Sequence, residues 1–214
     1  MSDKIDSEGN YRPFYGYTVI CMVSDLNGMP RLCEDFLQKA PTLQAHMSPL
    51  PASSYHATIY DIFTQRDVPT RYTSKSGLVP SPHWTCVYSN LQQDMAQAQD
   101  DCEKVKSDWK FHKSEFNIGS QAILIEGTVS NSAELSMVEG KLKENFGDIG
   151  KTVKRHHITL GYIFKEFGEE DLKKMKKELQ ILWEQVPNEI LLDAPNVCYF
   201  ESMTEFLRFR NLQK

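Results

Sequence analysis

The 214-residue sequence reads YHATIY at positions 55–60 and HHITLG at positions 156–161. Both stretches contain the β-branched and aromatic residues that favour strands. In a strand, residues i and i+2 point to the same face, so His56 projects with Thr58 and His157 projects with Thr159. The residues between them are apolar, and we expect them to pack beneath helices. Each stretch therefore predicts a strand that presents one imidazole and one hydroxyl to a cavity.

Strand-like and helix-like segments alternate around these two motifs. Residue composition predicts five strands, at 17–23, 55–63, 121–129, 156–164 and 197–209. Apolar residues at spacings of three and four predict helices at 91–109, 131–146 and 172–186, with a weaker helix at 30–46 that Pro41 interrupts. The sequence thus predicts five strands and four helices.

The order of these elements repeats along the chain. Tyr17 precedes His56 by 39 positions (56 − 17), and Gln121 precedes His157 by 36 (157 − 121). The histidines therefore fall at equivalent places in two halves, about 17–110 and 121–209, within one predicted domain over 11–214 that follows a flexible N-terminus at 1–10. If a pseudo-twofold axis relates the halves, both motifs converge on one cleft.

One long insertion breaks the repeat. Residues 64–90 are rich in Pro, Ser and Thr, and the second half has only a short link at the equivalent place. A segment of this kind is either a functional lid or substrate wall, or a passive loop.

The composition of the chain limits the classes of protein and the binding partners with which the sequence is compatible. Hydrophobic residues make up 40% and charged residues 25%, as in ordinary globular proteins. The five scattered cysteines, the absence of a secretory signal and the lack of a long apolar run predict a cytoplasmic protein that does not span a membrane. A net charge of −5 argues against a long nucleic-acid duplex as partner, because such binding needs many basic side chains. A small phosphate-bearing ligand is compatible with this charge.

Two His–Thr pairs suit phosphoryl chemistry. An imidazole with a pKa of about 6.5 can act as base or as acid near neutrality, and hydrolysis of a phosphodiester needs one of each. A threonine hydroxyl can donate to a non-bridging phosphate oxygen. The sequence contains no HExxH motif and no paired Cys and His spacing, so it predicts no metal site.

At these residues the chain resembles the two-histidine, or 2H, phosphoesterases. Each motif reads His, apolar, Thr, apolar, at His56-Ala57-Thr58-Ile59 and His157-Ile158-Thr159-Leu160. The resemblance implies an α+β fold of two pseudo-twofold-related lobes, each an antiparallel sheet flanked by helices, around a central cleft. It also implies metal-independent and cofactor-free action on 2',3'-cyclic phosphates, 2',5'-linked oligonucleotides or small cyclic nucleotides. The partner would then be a small nucleotide or short oligoribonucleotide.

Other residues near the motifs are candidates for substrate binding. Tyr60 shares the strand face of His56 by parity, so its ring could stack on a base or its hydroxyl could reach the phosphate. Gly161 is its counterpart and could leave room for a ligand. Lys151 and Arg155, with Lys154 between them, form a basic run that either attracts an anion or is an ordinary solvated surface.

Several alternatives stay open at the level of sequence. A nucleotide-binding or RNA-binding module could keep the cleft without turnover, and an acidic interaction scaffold is a second rival. The motifs do not assign the base and the acid between the two histidines. The substrate linkage and the oligomeric state are equally unspecified.

Overall fold

The computed structural model describes residues 3–67, 89–147 and 149–209. Most of the predicted insertion, residues 68–88, lies outside the described residues. The strands are β1 (Gly16–Met22), β2 (Met47–Pro49), β3 (His56–Thr64), β4 (Lys110–Ile118), β5 (Ala122–Val129), β6 (Lys151–Thr152), β7 (His156–Ile163), β8 (Glu189–Leu191), β9 (Asn196–Ser202) and β10 (Glu205–Arg208). The helices are α1 (Met29–Leu37), α2 (Pro41–Gln44), α3 (Ser89–Glu103), α4 (Ser132–Phe146) and α5 (Glu169–Gln185).

The strands form one antiparallel sheet in the order β10-β9-β1-β3-β7-β5-β4-β8. Strands β10, β9, β1 and β3 make the first lobe, and β7, β5, β4 and β8 make the second. The predicted α+β fold of two antiparallel lobes is confirmed, and the lobes join edge to edge at β3 and β7. The C-terminal strands β9 and β10 complete the first lobe, although they follow the second lobe in sequence.

The two lobes meet at a narrow junction. Ala57 of β3 and Ile158 of β7 form the only registered pair between these strands in the described chain, and they are the central residues of the two motifs. Beyond this pair, β3 binds β6 and β7 binds β2. Each short strand precedes one motif and pairs with the strand of the other, so the arrangement has a pseudo-twofold axis. The two motif strands therefore diverge and leave a cleft between them.

Each motif strand contains one extra residue directly after its threonine. Against β1, Thr58 and Tyr60 occupy successive register positions, so Ile59 is the extra residue in β3. Against β5, Thr159 and Gly161 are successive in the same way, so Leu160 is the extra residue in β7. An extra residue inverts the alternation of side chains for the rest of a strand. Asp61 in β3 and Tyr162 in β7 consequently face opposite to the simple parity rule, and a second extra residue, Ile62, shifts the register of β3 once more.

The apolar residues of both motifs lie in the core, as predicted. Ala57, Ile59, Ile158 and Leu160 are all fully buried. Helix α4 packs beside β3 and buries Val138, Leu142 and Phe146. Since α4 packs on one face of the sheet, the His and Thr side chains of the motifs project from the opposite face.

Some predicted element boundaries are wrong. The helix predicted over 91–109 ends at Glu103, and Val105 and Trp109 are buried from an extended segment that leads into β4. Their helical spacing is accidental, because an extended chain can also bury two residues four apart. The segment 197–209 is a hairpin of two strands rather than one, and β2, β4, β6 and β8 are strands that composition did not predict. The break of the 30–46 helix at Pro41 is confirmed.

The N-terminal residues pack onto the sheet rather than extending from it. Ile5 is fully buried and forms a β-bridge with Tyr11. The Arg12 amide donates to the Lys4 carbonyl at 3.0 Å. The flexibility predicted for residues 1–10 stays a prediction, and in the structure the buried side chain of Ile5 holds this segment against the sheet.

Substitution of Gly161 tests whether β2 approaches β7 as closely as the structure shows. A β carbon at Gly161 would collide with the Met47 side chain and the Ser48 carbonyl. We expect Gly161→Ala to destabilise the protein by about 1–3 kcal/mol, measured by urea unfolding, because β2 has to move. The matched control is Gly140→Ala in α4, where a β carbon meets no atom within 4 Å, and it should stabilise by about 0.5–1 kcal/mol. Equal stability of Gly161→Ala and the wild type would contradict this packing.

Candidate active site

A cavity of about 270 Å³ lies where β3 and β7 diverge on leaving the Ala57–Ile158 pair, a place that we call the fork. Both His–Thr pairs line it, so the structure brings together His56, Thr58, His157 and Thr159 as the pseudo-twofold predicts. Aromatic side chains form much of the remaining wall, namely Phe14, Tyr17, Phe63, Tyr162, Phe200 and Phe206. The cavity thus combines two imidazoles, two hydroxyls and an apolar wall.

The antiparallel junction determines how the four motif side chains are arranged. Because Ala57 is opposite Ile158, continuing the register by one residue places His56 beside Thr159 and His157 beside Thr58. Each imidazole therefore has the hydroxyl of the other lobe as its neighbour across the fork. His156 is not among the residues that line the cavity, and its Nδ1–H donates to the Thr58 carbonyl at 3.0 Å.

Both motif histidines are anchored in the same way. The Nδ1–H of His56 donates to the carbonyl of Ser54 at 2.7 Å, and the Nδ1–H of His157 donates to the carbonyl of Arg155 at 3.4 Å. A carbonyl only accepts, so Nδ1 carries the proton and Nε2 bears the lone pair of each neutral ring. Both rings consequently have Nε2 available for proton transfer.

The two imidazoles differ in their surroundings. The Phe206 ring lies 4.2 Å from the His56 ring, centroid to centroid. Burial lowers the pKa of His56 to about 4, and the charges of His157 and Lys4 add to this effect while the bond to Ser54 opposes it. His56 is therefore neutral at pH 7. The anchoring bond of His157, by contrast, lies in an exposed position.

Lys4 is a cavity residue that sequence reasoning missed. Its Nζ donates to the Tyr162 hydroxyl at 3.2 Å and lies 5.1 Å and 5.2 Å from the ring centroids of Phe14 and Tyr162. It lines the same cavity as the two motifs. Lys4 precedes His56 by 52 positions (56 − 4), in a segment predicted to be flexible, so no local pattern pointed to it. Its ammonium group places a positive charge at the cavity.

The extra residues in β3 and β7 change which side chains face the cavity. Asp61 and Tyr162 line it, at equivalent positions three residues after each threonine. Burial raises the pKa of the Asp61 carboxyl, while the charges of Lys4, His157 and Lys151 act in the opposite direction. An acid and a phenol thus occupy the places that simple parity gives to Tyr60 and Gly161.

The parity arguments for Tyr60 and Gly161 are wrong for this reason. Tyr60 is 1% exposed and packs with its ring centroid 6.3 Å from that of Phe146 in α4, outside the cavity. The space at Gly161 is occupied by β2 rather than left open for a ligand. Both residues lie on the face that the inverted alternation turns toward the core.

Lys151 and Arg155 lie outside the cavity, in a groove next to it. This groove has a volume of about 570 Å³, and Tyr60, Lys143 and Lys154 also line it. Within the described ranges, no helix has the length and apolar character needed to cross a membrane. In the same ranges, no three His, Cys, Asp or Glu side chains gather closely enough to hold a metal ion.

Sequence comparisons place the first motif in a known family model. Residues 4–76 match the model 2H-phosphodiest, described as a domain of unknown function (DUF1868). This range contains Lys4, His56 and Thr58, so the match bears out the predicted resemblance over the part of the chain that holds the first motif. The chain is also 27% identical over 227 residues to uncharacterized protein 127L of Invertebrate iridescent virus 6, covering 95% of this chain and 92% of the relative.

One solved structure shares the fold over nearly the whole chain. A conserved protein of unknown function from Agrobacterium tumefaciens str. C58 is similar with a TM-score of 0.66 at 17% identity, covering 97% of this chain and 90% of that one. Usb1 from Kluyveromyces marxianus is more distant, with a TM-score of 0.41 at 8% identity over 92% of this chain and 96% of that one. The first similarity extends the shared fold to nearly the whole chain.

The protonation of His56 is directly measurable. We expect its imidazole signals in an NMR titration to change near pH 4, because burial disfavours the charged ring. Phe206→Ala should raise this midpoint toward the ordinary value of about 6.5, since water would reach the ring. Because the unfolded chain binds this proton at higher pH, the histidine should also lower the stability of the wild type as pH falls from about 6.5 to about 4.

Leu207→Ala is the matched control, since Leu207 is the neighbour of Phe206 in β10 and is not among the cavity residues. It should leave the His56 midpoint unchanged. A wild-type midpoint near the ordinary value, or equal midpoints in both variants, would contradict the role given to Phe206.

Proposed function

We propose that this chain is a metal-independent phosphodiesterase of the two-histidine class that acts on RNA-type phosphodiesters. The candidate substrates are 2',3'-cyclic phosphates, 2',5'-linked oligonucleotides and small cyclic nucleotides. One observation carries the proposal: two His–Thr pairs line one cavity, and each histidine is anchored through Nδ1. This leaves two Nε2 atoms, one from each lobe, for a single phosphorus atom.

The geometry supports in-line displacement. Neutral His56 takes a proton from water or from a ribose hydroxyl through Nε2, and the oxygen so activated forms a new bond to phosphorus. His157 protonates the oxygen on the opposite side as its bond to phosphorus breaks. The pseudo-twofold axis suits this reaction, because attack and departure occur on opposite faces of the phosphorus.

The cavity also contains donors for the phosphate. Thr58 and Thr159 line the cavity and in this proposal donate to the two non-bridging oxygens, where negative charge grows in the transition state. The Lys4 ammonium adds a positive charge, and its contact with Tyr162 holds it at the cavity wall. The aromatic wall formed by Phe14, Phe200 and Phe206 offers an apolar surface for a sugar or base.

Buried thiols support the cytoplasm as the proposed location. Cys21, Cys33, Cys102 and Cys198 are all free and buried. Burial raises the pKa of each of these thiols, which keeps it protonated and unreactive. Thiols of this kind are common in a reducing compartment.

The central prediction is loss of turnover in either histidine variant. Wild type should hydrolyse at least one member of a panel of 2',3'-cyclic nucleotides, 2',5'-oligoadenylates and 3',5'-linked oligonucleotides in excess EDTA. His56→Ala and His157→Ala should each reduce kcat/KM by about 10²–10⁴, because each removes the base or the acid. Thr58→Ala and Thr159→Ala should each cost about 10²–10³ in kcat, as expected for lost transition-state donors.

His112→Ala is the control, since His112 is exposed on β4 and remote from the fork. It should retain full activity. Binding of nucleotides without turnover on the whole panel would favour a binding module. Absence of any thermal stabilisation by phosphate ligands would favour an interaction scaffold. Loss of activity in EDTA would contradict metal independence.

Lys4 gives a separate prediction. We expect Lys4→Ala to reduce kcat/KM at least about tenfold, since a charge-assisted hydrogen bond to phosphate is worth about 1.5–3 kcal/mol. Lys4→Arg should retain more activity because it keeps the charge. Lys39→Ala, which removes an exposed lysine of the first lobe, is the control. Equal activity of Lys4→Ala and the wild type would remove Lys4 from the site.

A further inference from the structure

A basic groove continues the cavity on the β6 side. We refer to the surface lined by Lys143, Lys151, Lys154 and Arg155 as the β6 groove. Asp61 and Val153 line both the cavity and this groove, so the two spaces are adjacent. Val153 thus lies at the boundary between the cavity and the β6 groove.

The four cations of the β6 groove form no salt bridge within the described ranges, and the carboxyl of Asp61, on which the charge of Lys151 acts, is the one acid that lines the groove with them. All four side chains are exposed, and none takes part in a salt bridge among the described residues. Other lysines do pair with acids, including Lys104, Lys110 and Lys141. Four cations and one acid therefore line this groove, although the chain as a whole has a net charge of −5. This excess of cations creates a local positive field that favours an anion.

The pseudo-twofold axis provides an internal comparison. Ser48 pairs with Tyr162 just as Lys151 pairs with Asp61, and Leu50 and Val153 both line the cavity. The β2 side is therefore the structural equivalent of the β6 side, but its residues 47–51 carry no charge. Since the fold is satisfied by neutral residues at one exit, it does not require the cations at the other.

The β2 exit is also covered. The Tyr11 hydroxyl donates to the Ser48 carbonyl at 2.7 Å, and the Ser48 hydroxyl donates to the Gly9 carbonyl at 2.6 Å. The N-terminal segment therefore lies across β2. Of the two equivalent exits, the β6 groove is the one that is both open and positively charged.

We propose that the β6 groove binds the backbone phosphates of a single RNA strand that extends from the cleaved phosphodiester. The preferred substrate is then an oligoribonucleotide rather than a mononucleotide. This inference rests on the proposed function, because it assumes that a phosphodiester occupies the cavity. A single strand fits the charge pattern, since it places one anion per nucleotide along a narrow path, whereas a duplex would also meet the acidic surface elsewhere.

The test measures binding without turnover. The variant His56→Ala/His157→Ala serves as the parent, and hexauridylate, uridine monophosphate and hexaglutamate are the probes. Lys151→Ala/Lys154→Ala/Arg155→Ala in this parent should weaken hexauridylate binding at least about tenfold at low salt. It should also lower the slope of log Kd against log salt by about 2, because each of the three lost phosphate contacts contributes roughly 0.7 to that slope. The loss for uridine monophosphate should be at least about fivefold smaller than for the hexamer.

A matched variant controls for net charge. Lys39→Ala/Lys106→Ala/Lys177→Ala removes the same charge from exposed lysines elsewhere and should leave hexamer binding and its salt slope unchanged. If the triple groove variant unfolds, Lys143→Glu on α4 provides the second measurement and should weaken the hexamer by a similar factor.

Three results would overturn the inference. These are hexauridylate binding no tighter than uridine monophosphate, equal losses in the groove and control variants, and hexaglutamate binding as tightly as hexauridylate. Each is a binding result on an inactive parent. A wild type that hydrolyses no phosphodiester would refute the proposed function while leaving these binding measurements interpretable.

Discussion

The pairing of Ala57 with Ile158 is the constraint on which the rest of the site depends. It joins two four-stranded lobes at one point, and both residues are fully buried. Because β6 and β2 take over the pairing on either side, the motif strands cannot stay together beyond the junction. The divergence of β3 and β7 creates the cavity, and the register at the junction faces each histidine with the threonine of the other lobe. A shift of one residue in this pairing would turn one of the two His–Thr pairs into the core and separate it from the other.

The extra residues in β3 and β7 are a second structural feature that the two lobes share. They lie at the same place in each lobe, directly after the motif, and they turn Asp61 and Tyr162 toward the cavity. The two lobes thus share the same bulge in the backbone but carry different side chains after it, a carboxyl in one lobe and a phenol in the other. A bulge next to an active site commonly redirects a side chain in this manner.

The asymmetry of the site comes from segments outside the repeated core. Phe206 belongs to the C-terminal hairpin, which adds to the first lobe and covers His56. Lys4 and Phe14 come from the N-terminal segment, which packs across β2 and the cavity wall. These additions pack an aromatic ring against His56, whereas the anchoring bond of His157 lies in an exposed position. The proposed mechanism uses this asymmetry, with neutral His56 as the base and His157 as the acid.

Local periodicity alone determined a large part of this protein. The alternation around His56 and His157 predicts which residues are buried, and the repeat predicts that the motifs converge. The structure alone determined the bulges, because Ile59-Tyr60 and Leu160-Gly161 read equally well in either register and pairing with the neighbouring strand selects one. Lys4 and Phe206 were beyond the reach of sequence patterns, since they meet His56 from 52 and 150 positions away (56 − 4 and 206 − 56). Parity along a strand is a local property of the backbone, whereas register and burial depend on segments that only folding brings together.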